Sequence, residues 1–198
     1  MNKKDLICKL KQHKFSDKII EAFKKVDRED FIPHELKKQA YEDIPLPIGY
    51  NQTISQPYTI AFMLNLLDLK DKQKILEVGS GSGYVLALLA ELSRGSKIFG
   101  VERIKELAKS SKIRLANYKN AKVIYGNGVK GLEREAPFDR ILVSAASNKI
   151  PQDLINQLKI EGIMVIPVGS SILRIKKKAE KLEIKEYPGF VFVPLIEE

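Results

Sequence analysis

The 198-residue chain has no tryptophan, one cysteine and two histidines. The lone Cys8 has no internal disulfide partner, so the disulfide frameworks of small secreted proteins are excluded and a reducing compartment is expected. Its place in an amphipathic N-terminal stretch predicts a partly buried packing role. His13 and His34 fall in the same region and read as surface or packing positions, and no metal site is expected. No run approaches the roughly 18 apolar residues that cross a bilayer. The apolar stretch after Met1-Asn2-Lys3-Lys4-Asp5 is too short for a signal peptide. A cytoplasmic protein with no membrane partner is the expectation.

Charge, by contrast, is abundant, with 34 Lys and Arg against 25 Asp and Glu and a net charge of +9. A basic surface attracts polyanions, but these lysines are spread along most of the chain and no aromatic-rich nucleic-acid motif accompanies them. The same charge would equally draw in a substrate carrying extra carboxylates, so no nucleic-acid partner is expected. With 44% hydrophobic and 30% charged residues, the composition is that of a globular protein with one sizeable core. A monomer with one domain over residues 1–198 is expected.

Within residues 3–40, Leu6, Leu10, Ile19, Ile20, Phe23 and Leu36 recur at helical spacing, with Ser16 at a capping position. They predict a small helical cover. The segment Asp43-Ile44-Pro45-Leu46-Pro47-Ile48-Gly49-Tyr50 has two prolines and a glycine, which forbid a regular helix and predict an apolar loop lying against another part of the molecule. Pro57 suits a first helical turn, and Ile60, Met63, Leu64 and Leu67 then make one buried stripe. Strands at residues 75–78, 97–101, 122–125 and 140–143 alternate with helices starting near Tyr84 and Ile104. That alternation predicts an α/β fold with a doubly wound, mostly parallel sheet. A short helix after Pro151 leads to an apolar strand at residues 162–168. Residues 172–175 and 190–195 are expected to form antiparallel strands around an exposed turn at Lys176-Lys177-Lys178. The expected parts are a helical cover and substrate loop (1–56), a cofactor-binding core (57–169) and C-terminal strands (170–198).

The run Leu76-Glu77-Val78-Gly79-Ser80-Gly81-Ser82-Gly83 leaves the first strand of this sheet and opens a helix. Glycines there let the backbone pass close under a ligand. Nicotinamide, flavin and S-adenosylmethionine sites all use such turns, but the G-x-G-x-G spacing lacks the third glycine of the dinucleotide fingerprint and points away from a pyrophosphate ligand. Glu102 ends the next strand, roughly 20 residues on, where a carboxylate can accept both ribose hydroxyls; the plainer alternative is a solvated charge at a strand end. Gly126-Asn127-Gly128 follows the third strand, where a polar side chain can meet an adenine edge or simply form a turn. These features predict an adenosyl ligand in a Rossmann-like fold, and a fold does not choose a reaction.

The segment Tyr41-Glu42-Asp43-Ile44-Pro45-Leu46-Pro47-Ile48-Gly49-Tyr50-Asn51-Gln52-Thr53-Ile54-Ser55-Gln56-Pro57 closely resembles the stretch preceding the cofactor motif in protein-L-isoaspartate O-methyltransferases. Further matches are Tyr84, Val101-Glu102-Arg103-Ile104, Gly131, Ala136-Pro137-Phe138-Asp139, Ala145-Ala146, Ile150-Pro151, Gln157-Leu158, Val165-Ile166-Pro167-Val168-Gly169 and Phe192-Val193-Pro194-Leu195. They cover nearly the whole chain from Phe31. The resemblance implies a class I S-adenosylmethionine-dependent methyltransferase fold with an N-terminal helical addition. It implies an enzyme that takes methyl from S-adenosyl-L-methionine and places it on the free carboxylate of isoaspartyl residues in damaged proteins and peptides, starting repair through a succinimide. Carried over residue by residue, it implies cofactor contacts from Gln52, Thr53, Ile54, Ser55, Gly79, Ser80, Gly81, Gly83, Glu102, Arg103, Gly126 and Asn127. Glu102 would meet the ribose and Asn127 the adenine. Thr53, Ile54 and Ser55 fall where the family closes a loop over cofactor and substrate, and Ser55 corresponds to its active-site serine. Three departures stand out. Asn127 replaces the family's usual aspartate, which predicts weaker but retained cofactor binding; Ser144 replaces a common threonine; and residues 170–188 match poorly.

Methyl transfer from a sulfonium to a carboxylate neutralises both charges, so a dry pocket accelerates it and positioning supplies much of the rest. A carboxylate is already nucleophilic at neutral pH, so no general base is required. On this reading Ser55 donates a hydrogen bond to one carboxylate oxygen and aims the other at the methyl group. Its alternative role is to cap the helix that starts at Pro57. Tyr50, Tyr58 and Phe62 are candidates for a substrate groove or for core packing, and the basic residues 174–181 read as a solvated turn. Rival readings are a methyltransferase for RNA or a small molecule, and a cofactor-binding protein without turnover.

Overall fold

The computed structural model describes residues 1–196. The N-terminal stretch folds as α1 (Lys3–Gln12) and α2 (Asp17–Lys25), followed by two 3-10 turns. A reciprocal cap starts α1: Asp5 N–H donates to Asn2 Oδ1 and Asn2 N–H to Asp5 Oδ2, each at 3.0 Å, a pairing that satisfies two otherwise orphaned helix-end groups. Ser16 does precede α2, yet its hydroxyl makes no capping bond. Cys8 is exposed rather than partly buried, because Leu6, Ile7 and Leu10 turn the inner face of α1 toward the core and leave Cys8 outside it.

The expected apolar loop at residues 43–50 is instead half of a hairpin, β1 (Leu46–Gly49) against β2 (Gln52–Ile54). Tyr50 and Asn51 at its tip have φ of 55° and 56°, the sign a tight two-residue hairpin turn demands. A two-stranded ribbon leaves room for Pro47, which central strands exclude. Leu46, Ile48 and Ile54 are buried beneath it.

After α3 (Pro57–Leu67), which buries Ile60, Met63, Leu64 and Leu67 as its stripe predicts, strand and helix alternate. They are β3 (Lys74–Val78), α4 (Tyr84–Leu92), β4 (Lys97–Glu102), α5 (Lys105–Arg114), β5 (Ala121–Tyr125), β6 (Phe138–Val143), α6 (Gln152–Gln157), β7 (Leu158–Val168), β8 (Ser171–Lys177) and β9 (Leu182–Pro188). The seven-stranded sheet runs β5-β4-β3-β6-β7-β8-β9. It is parallel through β7 and antiparallel for the last two pairings. Chain direction across the sheet reverses beside β3, and open α/β sheets bind ligands at the carboxyl edge of such a switch point. The strand period of two sends Ile75 to the face covered by α3, α4 and the N-terminal helices, and Leu76 and Val78 to the face covered by α6. Among the described residues no helix is long and apolar enough to cross a membrane.

The C-terminal part departs from expectation. β7 begins at Leu158, ahead of Gly162, because a register irregularity between Phe138 and Arg140 and a positive φ of 65° at Glu161 absorb the polar residues that interrupt the apolar run. The partner of β8 is β9, not residues 190–195. β9 is an edge strand with almost every side chain exposed, so no buried face marked it. Residues 190–196 instead cross the carboxyl ends of the strands, held where Ala146 N–H donates to Val193 O at 2.8 Å and Leu195 N–H donates to Ala146 O at 2.6 Å. The basic run is not a free turn either. Lys177 Nζ donates to the carbonyls of Ile155 and Leu158 at the end of α6, and Lys176 and Lys178 both pair with Glu161.

Gln157 anchors the loop that follows Asn127. Its Oε1 accepts from Leu132 N–H at 2.7 Å and its Nε2 donates to Lys130 O at 2.8 Å, and Gly131 leaves no space for a Cβ beside it. Gln157→Ala strands a buried N–H, which costs about 1–3 kcal/mol. Urea unfolding should show that loss with an unchanged slope; a loss well under this range would mean that the loop finds another partner.

Candidate active site

Three glycines with positive φ, Gly79 at 79°, Gly81 at 50° and Gly83 at 89°, carry the chain from β3 into α4. The turn is tied to β4, where the N–H groups of Gly79 and Ser80 both donate to Val101 O. A side chain on Gly81 would meet Ile48 Cδ1 at 3.2 Å, so the hairpin lies directly over the turn. Gly83 serves packing, since a Cβ there would meet Ser111 and Leu115 at 3.1 Å.

Glu102 is only 5% exposed, at the carboxyl end of β4. Its Oε2 accepts from Gly81 N–H and its Oε1 from Ile104 N–H, both at 2.8 Å. One carboxylate thus fixes the glycine turn to the start of α5, and each oxygen keeps a further lone pair for a ligand. A solvated strand-end charge, the plainer alternative, is not what the structure has.

Glu77, one residue before the end of β3 and level with Gly100 of β4, is 1% exposed. Ser144, just beyond β6, donates to its Oε1 at 2.8 Å, while among the described residues Oε2 has no hydrogen-bond partner. The Ser80 hydroxyl is likewise buried without a partner. Burial raises the Glu77 carboxyl to about 8; the Ser144 hydroxyl opposes that rise and the neighbouring Glu102 adds to it. Both orphaned atoms belong to residues lining a recess of about 470 Å³ that also includes Thr53, Ser55, Met63, Tyr84 and Phe192. Unmatched polar atoms in a concave site mark where a polar ligand belongs. A charged residue inside the apolar run Ile75-Leu76-Glu77-Val78 is the sequence signal that points to Glu77, and none of the expected site residues included it.

A second recess of about 600 Å³ adjoins the first through Thr53, Gly79, Gly81 and Ser144, and is lined by Ile48, Gln52, Glu102, Arg103, Ile104, Asn127 and residues 193–196. Asn127 Oδ1 accepts from Val129 N–H at 3.0 Å and so caps the short turn after β5. Gly128 is required beside it, because a Cβ there would strike Val78 Cγ1.

Ser55 lies between β2 and α3. It lines the first recess and also an open groove formed by Pro45, Thr53, Tyr58 and residues 188–193. Gln56, not Ser55, is the N-cap residue of α3, and the capping bond comes from Asp43, whose Oδ1 accepts from Tyr58 N–H at 2.8 Å. Ser55 is therefore relieved of the capping alternative.

Of the residues expected at the site, Gln52, Thr53, Ile54, Ser55, Gly79, Ser80, Gly81, Glu102, Arg103 and Asn127 line one or both recesses. Gly83 and Gly126 line neither; Gly126 N–H extends the ladder by donating to Glu102 O at 3.0 Å. Tyr58 lines the groove, Phe62 packs against Tyr187 and Phe190, and Tyr50 is exposed at the hairpin tip. His13 lies against the Tyr58 ring at 4.6 Å, away from both recesses. Among the described residues no group of His, Cys, Asp and Glu could hold a metal ion.

The family model for protein-L-isoaspartate(D-aspartate) O-methyltransferase matches residues 1–198. The chain is 45% identical to the protein-L-isoaspartate O-methyltransferase of Methanothrix thermoacetophila, over 99% of this chain and 95% of that one. It is 47% identical to that of Ignicoccus hospitalis, over 91% and 89%. A crystal structure from Plasmodium falciparum, described as a protein-L-isoaspartate O-methyltransferase in complex with S-adenosyl-L-homocysteine, superposes with a TM-score of 0.87 at 28% identity, covering all of both chains. With its carboxylates, glycine turn and groove gathered at one edge of the sheet, the chain belongs to the protein-L-isoaspartate(D-aspartate) O-methyltransferase family.

Proposed function

We propose that this chain methylates the free carboxylate of L-isoaspartyl residues in damaged proteins and peptides, with S-adenosyl-L-methionine as donor, and that Ser55 orients the accepting carboxylate. The observation that carries the Ser55 assignment is its position where recess and groove meet, with helix capping handed to Asp43.

S-adenosyl-L-methionine supplies a methyl group on a sulfonium. The residues fit it: the orphaned Glu77 Oε2 and Ser80 Oγ would take its amino-acid end, the spare lone pairs of Glu102 the ribose hydroxyls, and Asn127 with Ile104 the adenine. The Ser55 hydroxyl donates to one oxygen of the entering carboxylate and leaves the other free to react. Ile54, Met63 and Phe192 exclude water around it, which matters because water stabilises the separated charges more than the charge-neutralising transition state. The open groove past Tyr58 and Phe190 takes the flanking peptide.

Matched peptides carrying isoaspartate, aspartate or asparagine at one position should give methyl ester on the first alone. Ser55→Ala should lower kcat on that peptide about 10–100-fold, the worth of one hydrogen bond to a charged group, with its melting temperature retained. A folded variant with full turnover would remove Ser55 from the reaction.

Glu77 gives a pH-dependent test. In the unfolded chain its carboxyl titrates near 4.5 and in the fold near 8. The folded protein thus holds the extra proton between those values; the stabilisation is complete below 4.5 and lost as pH rises through about 8. Glu77→Gln should flatten the profile of cofactor-free melting temperature against pH across that window. In the parent protein near pH 7, donor binding should expel most of one proton as Glu77 ionises against the ligand's ammonium. Calorimetry in buffers of different ionisation enthalpy reads this, and Glu77→Gln should release none and bind about 10–100-fold more weakly. Equal proton release from both proteins would separate Glu77 from the donor site.

A further inference from the structure

Arg28, in the turn after α2, is 0% exposed, and among the described residues it forms no salt bridge with a carboxylate. Its guanidinium instead collects backbone carbonyls. Nη1 donates to Ala40 O at 2.7 Å and Glu42 O at 3.3 Å, and Nη2 donates to Ile44 O at 3.0 Å and Ser55 O at 3.1 Å. The first three carbonyls belong to the segment that leads into the β1–β2 hairpin. The fourth belongs to the serine on its far side. A single planar fork therefore closes the loop spanning residues 40–55 at its base. A rigid guanidinium holds several acceptors at fixed angles, whereas an ammonium does not.

Asp43 closes the loop from the other direction. It accepts from Tyr58 N–H and from Gln56 Nε2, at 2.8 and 3.1 Å. Ser55 is thus gripped at its own carbonyl, and the residues after it are held through Asp43. Burial lowers the guanidinium to about 10, with the nearby Tyr84 and Asp43 opposing the shift, so it stays charged at neutral pH. Tyr84 in turn lines the recess and packs against Phe23 and Phe31 of the cover.

We propose that Arg28 is a positioning residue for methyl transfer: its hold on the Ser55 carbonyl and on the carbonyls of residues 40, 42 and 44 sets the direction in which the Ser55 hydroxyl points. The N-terminal cover thereby takes part in the reaction without touching substrate. The inference rests on the assignment of Ser55 made above.

Arg140 supplies the control, as a second buried arginine that collects carbonyls, those of Leu67 and Asp68 at the end of α3 and that of Asp139, with the Asp68 carboxylate 3.8 Å away. Arg28→Lys and Arg140→Lys should both lower the melting temperature. Per folded molecule, only Arg28→Lys should lower kcat on an isoaspartyl peptide, at least about 10-fold, with donor affinity within about threefold of the parent. In Arg28→Ala, guanidinium ion at sub-denaturing concentration should restore part of the lost kcat, and it should not do so in Arg140→Ala. The double variant Ser55→Ala/Arg28→Lys should lose little more than Ser55→Ala alone, since groups acting through one another are not additive. An unchanged kcat in Arg28→Lys, or losses that multiply in the double variant, would overturn the proposal. Full activity in Ser55→Ala would sink the Ser55 assignment instead. Should Arg28→Lys not fold, Arg28→Gln, whose side-chain amide keeps a donor for these carbonyls, carries the same comparison, with lower kcat expected and unchanged kcat contradicting the proposal.

Discussion

Two carboxylates held almost wholly out of water, Glu77 and Glu102 near the carboxyl ends of adjacent parallel strands, are the constraint around which the molecule is arranged. Ionised carboxyl groups in such a place are costly unless bonded or neutralised. The two meet that cost differently. Glu102 is bonded on both oxygens by backbone N–H groups of the glycine turn and of the start of α5. Among the described residues Glu77 is bonded by the Ser144 hydroxyl alone, and its carboxyl is pushed up to about 8. Glu102 is held with lone pairs to spare, whereas the Glu77 carboxyl favours its neutral form below about 8. The dryness that produces this contrast is also what a charge-neutralising methyl transfer requires.

That dryness has to be built. The sheet supplies the carboxyl edge, but three segments outside its parallel part close over it. The β1–β2 hairpin rests on Gly81 through Ile48. Residues 193–196 wall the second recess. The N-terminal helices bring Phe23 and Phe31 against Tyr84 and place Arg28 beneath the loop that carries Ser55. Cover, hairpin and tail are separate in sequence, and their common task is visible only in three dimensions.

The parallel core was legible because each strand shows its own period and is bounded by a turn: Ile75, Leu76 and Val78, or Arg140 to Val143, have no other good place. Pro57 and the stripe behind it announced α3 with equal clarity. What stayed hidden was structure made by long-range partners. The hairpin at Leu46 to Ile54 looked like a loop because prolines are tolerated in a ribbon. β9 was missed because an exposed edge strand has no apolar face to display, whereas the apolar residues 190–195 read as a strand when they are a lining. At the site, the glycines and Glu102 could be read from spacing. The orphaned oxygen of Glu77, the cap provided by Asp43 from 15 residues away and the four-carbonyl grip of Arg28 could not, since each depends on a neighbour remote in sequence.

The central claim is geometric: an acidic side chain is held by Ser55, shielded from solvent, in line with the donor's methyl. A crystal structure with S-adenosyl-L-homocysteine and an isoaspartyl peptide tests it most directly. The account predicts the peptide in the groove beside Tyr58, one carboxylate oxygen accepting from Ser55 and the other facing the donor sulfur. A donor whose sulfur faces away from residues 53–55, or a carboxylate bound elsewhere, would contradict it.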